Sequence, residues 1–186
     1  MSVLSRLLNR TPPARGVVIQ PMRRRDLTAI QVIERQVYPQ PWSVNVFTNE
    51  IELARQGQRY YVTATRAGVL VGYAGMMLIG EEAHVTNIAT DPQRQREGVG
   101  RRLLADLAWE ARRRKCTGLT LEVRISNSAA QGLYHLFGFE PAGIRQKYYE
   151  NVEDAIVMWC HNIDAPEYAV RLQRLCPDAA PPRSRS

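Results

Sequence analysis

A chain of 186 residues with 45% apolar side chains, 23% charged side chains and a mean hydropathy of −0.33 has the composition of one globular domain, not of a disordered, collagenous or membrane protein. No run approaches the roughly eighteen consecutive apolar residues that a spanning helix needs. The formal charge of +7 sits at the ends. Residues 1–25 carry Arg6, Arg10, Arg15, Arg23, Arg24 and Arg25 with no acid, 177–186 add Arg183 and Arg185 against Asp178, and 26–176 carry no net charge. The basic balance therefore argues against a nucleic-acid-binding face on the folded body.

Met1 to Arg15 places Leu4, Leu7 and Leu8 at helical spacing among arginines, which imitates a transit peptide, but the stretch has only Ser2 and Ser5 where such peptides are serine-rich. Thr11-Pro12-Pro13 breaks any helix there. The sequence predicts a basic extension over 1–16, a body over 17–163 and a C-terminal extension over 164–186. Val17 to Met22 reads as a strand, and Asp26 is expected to cap a helix to about Tyr38 that Pro39-Gln40-Pro41 stops; Ser43 caps a second, to about Arg55. Tyr60–Thr65, Val69–Ile79 and Ala83–Thr90 read as three antiparallel strands. Val99, Leu103, Leu104, Leu107, Ala108 and Ala111 recur at three- and four-residue steps, predicting a long helix up to about Lys115 with Gly118 as its stop. Leu119, Leu121, Val123 and Ile125 alternate as a strand. A short helix, Asn127 to Phe137, is closed by Gly138, and strands follow at about 142–149 and 155–162. A terminal helix is expected over 166–175, and 177–186, rich in proline, serine and arginine, is expected to be disordered.

Chemistry is best placed in Gln95-Arg96-Glu97-Gly98-Val99-Gly100-Arg101, between a strand and a long helix. Its two glycines permit close backbone approach, and the N–H groups and positive dipole end of the helix suit a pyrophosphate. It lacks the lysine of a P-loop and the spacing G-x-G-x-x-G. Residues 94–115 hold eight basic side chains against Glu97, Asp106 and Glu110, which either meet further phosphates or form a solvated face. Glu122 lies opposite the apolar row of its strand, placed as a general base or as a structural carboxylate paired with Arg124 or another cation. Tyr134, beside Leu133 on the short helix, reads as a packed tyrosine. Asn127 reads as a helix cap.

His84, His135 and His161 make no metal-binding spacing, and no metal is expected. Cys116, Cys160 and Cys176, odd in number and without C-x-x-C spacing, fit a reducing cytoplasm; Cys116 and Cys160 are covalent nucleophiles or buried thiols. Trp42, Tyr148 and Tyr149 are core aromatics or walls of an acceptor cleft.

The loop resembles the coenzyme A loop Q/R-x-x-G-x-G/A of the GCN5-related N-acetyltransferase (GNAT) superfamily, through Gln95, Gly98 and Gly100. Asn87-Ile88-Ala89-Thr90-Asp91-Pro92, Leu121-Glu122-Val123-Arg124, Ser126-Asn127, Leu133-Tyr134 and Gly138-Phe139 follow in the order of the bacterial ribosomal-protein-alanine N-acetyltransferase (RimI-like) subfamily, with Pro41-Trp42-Ser43 and Arg145-Gln146-Lys147-Tyr148-Tyr149 extending the similarity over about 17–163. The resemblance implies a single α/β domain with a mixed, mostly antiparallel sheet of about seven strands and helices on both faces. It implies acetyl-CoA as cosubstrate and direct transfer to the N-terminal alanine of a small-subunit ribosomal protein. Glu122 is then the base, directly or through water, and Tyr134 the proton donor to the thiolate. Asn127 and the main chain of Ile88, Ala89 and Thr90 hold the pantetheine arm, and residues 95–101 hold the phosphates. Other outcomes are a superfamily enzyme for a small amine or a lysine, and a coenzyme A-binding module associated with ribosome or RNA. A cytoplasmic monomer or weak oligomer is expected. The basic tails are expected either to make weak rRNA contact or to have no partner.

Overall fold

The computed structural model describes residues 16–179, so 1–15 and 180–186, with most of the arginine-rich ends, lie outside the described residues. Seven strands form one mixed sheet in the order β1-β2-β3-β4-β5-β7-β6: β1 Val17–Pro21, β2 Arg59–Arg66, β3 Val69–Ile79, β4 Glu82–Thr90, β5 Gly118–Arg124, β6 Glu140–Tyr149 and β7 Glu153–His161. Among the described residues five α-helices accompany them: α1 Leu27–Val37, α2 Val44–Arg55, α3 Val99–Arg113, α4 Ser128–Leu136 and α5 Pro166–Leu175. The parallel exception is β4 with β5, paired from Glu82–Gly118 to Val85–Leu121; 86–90 and 122–124 lie past that ladder. Among the described residues no helix is long and apolar enough to cross a membrane.

Two compact units share the chain. The first takes the described residues up to Met77 together with Thr86–Leu107. Its core gathers Leu27, Ile30 and Ile33 from α1, Phe47 and Ile51 from α2, and Tyr61 and Tyr73 from the sheet, each helix contributing residues three or four apart as a buried stripe requires. Ser43 caps α2 as expected, its Oγ accepting from Val46 N. Asp26 does not cap α1 with its side chain: a 3₁₀ turn over Arg24–Asp26 precedes the helix, and the carboxylate turns back to accept from Arg23 N at 2.8 Å.

The second unit takes Leu78–Val85 and the residues from Ala108 onward. Leu119, Leu121 and Val123 of β5 are buried, with Phe137, Phe139 and Met158. Ile125, expected in the same apolar row, is 50% exposed, because the strand ends at Arg124. Gly118 is not the stop of α3. The helix ends at Arg113, Lys115 takes the left-handed conformation (φ +63°), and Gly118 opens β5. At the C-terminus Tyr168, Leu172 and Leu175 bury one face of α5, and the described chain continues to a buried Ala179 whose N–H donates to Cys176 O.

Candidate active site

In the first unit the expected phosphate loop is a tightly specified turn. Asp91 Oδ1 accepts from Gln93 N at 2.9 Å, a 3₁₀ turn spans Pro92–Arg94, and Arg96 and Gly98 both have positive φ (+64° and +81°) before α3 starts at Val99. Arg102 N donates to Gly98 O, so the N–H groups of residues 98–101 precede the intrahelical ladder and stand as donors at the positive end of the helix. Glu97, the one acid of the loop, is ion-paired with Arg66 and with Arg94, which balances its charge beside those donors. Gly98 is required by its φ, whereas Gly100 lies within α3.

The strand before the loop alternates its main-chain groups. Ala89 O lies 2.7 Å from where a Cβ on Gly72 of β3 would stand, and Asp91 N donates to Val71 O, so Ala89 and Asp91 face β3. The groups of Ile88 and Thr90 therefore point to the other side, where Ile88 O accepts from the Tyr38 hydroxyl at 3.1 Å. Of the expected trio, Ile88 and Thr90 offer groups away from β3 and Ala89 does not. Trp42 is fixed through its backbone: its N–H donates to Glu34 Oε1 (2.8 Å), its carbonyl accepts from Gln31 Nε2 (2.7 Å), and its ring packs 5.5 Å from that of Phe47 against the core.

In the second unit, the alternation of β5 places Glu122 with Thr120 and Arg124 on the face opposite its buried leucines. The Glu122 side chain is only 7% exposed. His84 Nε2 lies 3.0 Å from its Oε2 and Arg145 Nη1 lies 3.1 Å from its Oε1. The hydrogen bond from His84 is the main cause that holds the carboxyl below the usual range; burial opposes it, and the charges of His84 and Arg145 add to it. Arg124 is not its partner. That guanidinium binds Glu150 (2.6 Å) and Glu153 (3.0 Å) and lies 4.1 Å over the Tyr149 ring, and the Tyr149 hydroxyl donates to Glu122 O.

Tyr149 is partly buried, which pushes its phenol up to about 12, while Tyr148, in edge contact with it at 5.1 Å, is 48% exposed. Tyr134 of α4 is buried with its ring 5.8 Å from that of Phe139. Asn127 caps α4, its Oδ1 accepting from Ala130 N. Cys116 and Cys160 are buried, and desolvation raises both thiols, which disfavours a nucleophilic thiolate. His135 contacts Phe139 O and His161 stacks on Trp159; among the described residues no three His, Cys, Asp or Glu side chains gather as a metal site.

Two residues of the Glu122 cluster escaped the sequence reading. His84 makes no metal-binding spacing, yet its place between buried Ala83 and Val85 on a strand signals a side chain turned to the opposite face. Arg145 lay in a quoted motif, but a single sequence does not show that β6 is two strands from β5.

The acetyltransferase (GNAT) family model matches residues 27–139. The chain is 40% identical over 144 residues to a protein of Escherichia coli (strain K12) named [ribosomal protein bS18]-alanine N-acetyltransferase, covering 75% of this chain and 94% of that one. It is 36% identical over 146 residues to the N-alpha-acetyltransferase RimI of Mycobacterium tuberculosis, covering 75% and 88%. The crystal structure of the ribosomal-protein-S18-alanine N-acetyltransferase from Escherichia coli superposes with a TM-score of 0.72 at 36% identity, covering 81% of this chain and 97% of that one.

Proposed function

The chain belongs to the acetyltransferase (GNAT) family, and on that premise we propose that it acetylates the α-amine of a protein N-terminus, the leading alanine of a small-subunit ribosomal protein. The observation that carries this reading is the 40% identity to the Escherichia coli enzyme of that activity across 94% of its length.

The residues present fit acetyl-coenzyme A. The donors of residues 98–101 and the positive helix end match a pyrophosphate, Glu97 is neutralised by Arg66 and Arg94, and the main-chain groups of Ile88 and Thr90 suit the amides of a pantetheine arm. When bound, the cosubstrate supplies an activated acyl carbon and a thiolate leaving group.

Glu122 receives the amine. Its carboxylate stays ionised through the partnership with His84 and Arg145, so it attracts an ammonium and takes up its proton, with His84 Nε2 against the other oxygen. A carboxylate held this low is a weak base and is matched to an acceptor that loses its proton readily. An α-amine of pKa about 7.7–8.0 is neutral in roughly a tenth of copies at pH 7, whereas a lysine near 10.4 is neutral in well under ~0.1%. Tyr134 donates its phenolic proton to the departing sulfur, Asn127 contacts the pantetheine, and Trp42, Tyr148 and Tyr149 border the acceptor. The arginines of the ends outside the described residues add weak, salt-sensitive contact with rRNA around a ribosomal substrate, in the cytoplasm, by a monomer or weak oligomer.

Coenzyme A release with an alanine-leading peptide, its N-blocked form and a lysine peptide tests the proposal. Turnover confined to the free α-amine is expected. Equal turnover of the blocked peptide overturns it, and preference for lysine assigns the enzyme to side chains. Truncation of both ends is expected to lower ribosome co-sedimentation in low salt with peptide turnover intact; unchanged sedimentation removes the docking role.

A further inference from the structure

Both oxygens of Glu122 are occupied, and the two occupants differ in kind. The charged and titratable groups facing the carboxyl are His84 from β4 and, from β6, Arg145 with the Tyr149 hydroxyl on the main-chain carbonyl; across the ladder β7 presents apolar Val157, and Arg124 is engaged by Glu150 and Glu153. His84 is 16% exposed within a central strand. Arg145 is 55% exposed on the edge strand, at the last regular pair before the irregular stretch that ends at Tyr149. Its guanidinium lies 5.4 Å from the Tyr148 ring, a half-exposed face able to hold a cation.

The rows across the sheet show why this arm can move. Arg124, Ala155 and Arg145 share one row, and Glu122, Val157 and Gly143 the next. Small Ala155 separates the two arginines, and a Cβ on Gly143 would meet nothing within 4 Å. Arg145 therefore reaches Glu122 diagonally across β7 beside the open space at Gly143, and its head, already near the Tyr148 ring, can leave Oε1 without giving up that contact. Because only the Glu122 end is buried and the guanidinium is half exposed, the pair is weaker than a fully buried one and its cation can be exchanged.

An acceptor α-amine near neutral pH arrives mostly as ammonium and needs the oxygen that Arg145 occupies. We propose that Arg145 is a displaceable cation that fills the acceptor position at Glu122 Oε1 until the substrate's ammonium replaces it, and so sets how tightly an amine binds. The inference rests on the reading of Glu122 as the group that receives the amine. A cationic acceptor restores the charge balance that Arg145 gives up, whereas a hydroxyl or an acylated nitrogen does not, so the exchange selects for amines and against the acetylated product.

The test is Arg145→Gln and Arg145→Lys, with titration of an alanine-leading peptide and its Nα-acetylated form into enzyme saturated with coenzyme A, alongside steady-state kinetics. Arg145→Gln is expected to lower Kd and KM for the free-amine peptide roughly threefold, the bias of a weak ion pair with one half-exposed partner, with the acetylated peptide unchanged. Arg145→Lys, which keeps a cation, is expected to stay near wild type. An unchanged or raised Kd for the free-amine peptide, or an equal change for both peptides, overturns the inference. If the wild type accepts only lysine or a small amine, the N-terminal reading fails and the same comparison is made with that amine and its acetylated form. If Glu122→Gln leaves the rate unchanged, the reading of Glu122 falls and this inference with it. A large loss in Glu122→Gln with unmoved binding in Arg145→Gln overturns this inference alone.

Discussion

Glu34 and Glu122 are both nearly closed off from solvent, yet their carboxyl groups are set in opposite directions. In the first unit Glu34 is 2% exposed, accepts one hydrogen bond from Trp42 N on Oε1, and has a buried Oε2 with no hydrogen-bond partner among the described residues; desolvation pushes it above the usual range. In the second unit Glu122 has His84 on one oxygen and Arg145 on the other, and is pulled below that range. Burial alone does not decide the charge of a carboxyl; the donors built around it do. Glu34 thus works as a clamp on the backbone of Trp42, and Glu122 keeps its charge between His84 and Arg145.

The largest effect that breaks this contrast is Glu122→Gln, which keeps the shape and removes the charge. It is expected to lower kcat by ~10²-fold or more, within the range of a positioned base, with a smaller loss at high pH because solvent then supplies the neutral amine; a flat pH dependence of the loss would contradict the assignment. The role proposed for the first unit runs through main chain, so its test is conformational. Gly98→Val imposes a β-branched side chain at φ +81° and is expected to raise KM for acetyl-coenzyme A about tenfold or more, with kcat for a saturating peptide largely kept. A kcat loss without a change in KM would show that the turn serves another purpose.

His84→Asn sharpens the contrast from the other side. His84 is the leading cause that lowers the Glu122 carboxyl, so its loss should move the acid limb of the kcat/KM profile to higher pH. Activity then falls several-fold at the acid end and approaches wild type toward the alkaline end, where Glu122 is ionised in both. An unmoved acid limb would assign that limb to another group.

Much of this organisation is legible in the sequence where the signal is local. The three- and four-residue recurrence from Val99 to Ala111 locates α3, Ser43 marks the start of α2, and Gly98 announces a positive φ. The misses come from competition between local options. Asp26 has the right chemistry for a cap, but the 3₁₀ turn before α1 offers Arg23 N to its carboxylate first. Lys115 adopts the left-handed backbone usually left to glycine, which frees Gly118 to open a strand beside Trp159. The site divides the same way. The Gly98 turn and Glu122 lie in short motifs, whereas His84 and Arg145 reach Glu122 only through the order β4-β5-β7-β6, a non-sequential arrangement that no local spacing reveals.

The smallest expected effect concerns Glu34 and is read as stability, not rate. Its carboxyl is raised in the folded chain, so below the unfolded value both states hold the proton and no penalty exists. As pH rises above that value the unfolded chain ionises freely while the folded one resists, and stability declines until the folded value is passed. Glu34→Gln cannot ionise, and its side-chain carbonyl can still accept from Trp42 N. A constant offset between the proteins, from placing an amide where Oε2 lies buried, cancels when the difference is compared across pH. The melting temperature of Glu34→Gln relative to wild type is therefore expected to climb as pH rises above about 4.5 toward neutrality. For a chain of this size each 1 kcal/mol corresponds to roughly 2–4 °C, within reach of a thermal melt. A difference that stays constant across this range would mean that Glu34 ionises as easily folded as unfolded, and the contrast with Glu122 would rest on Glu122 alone.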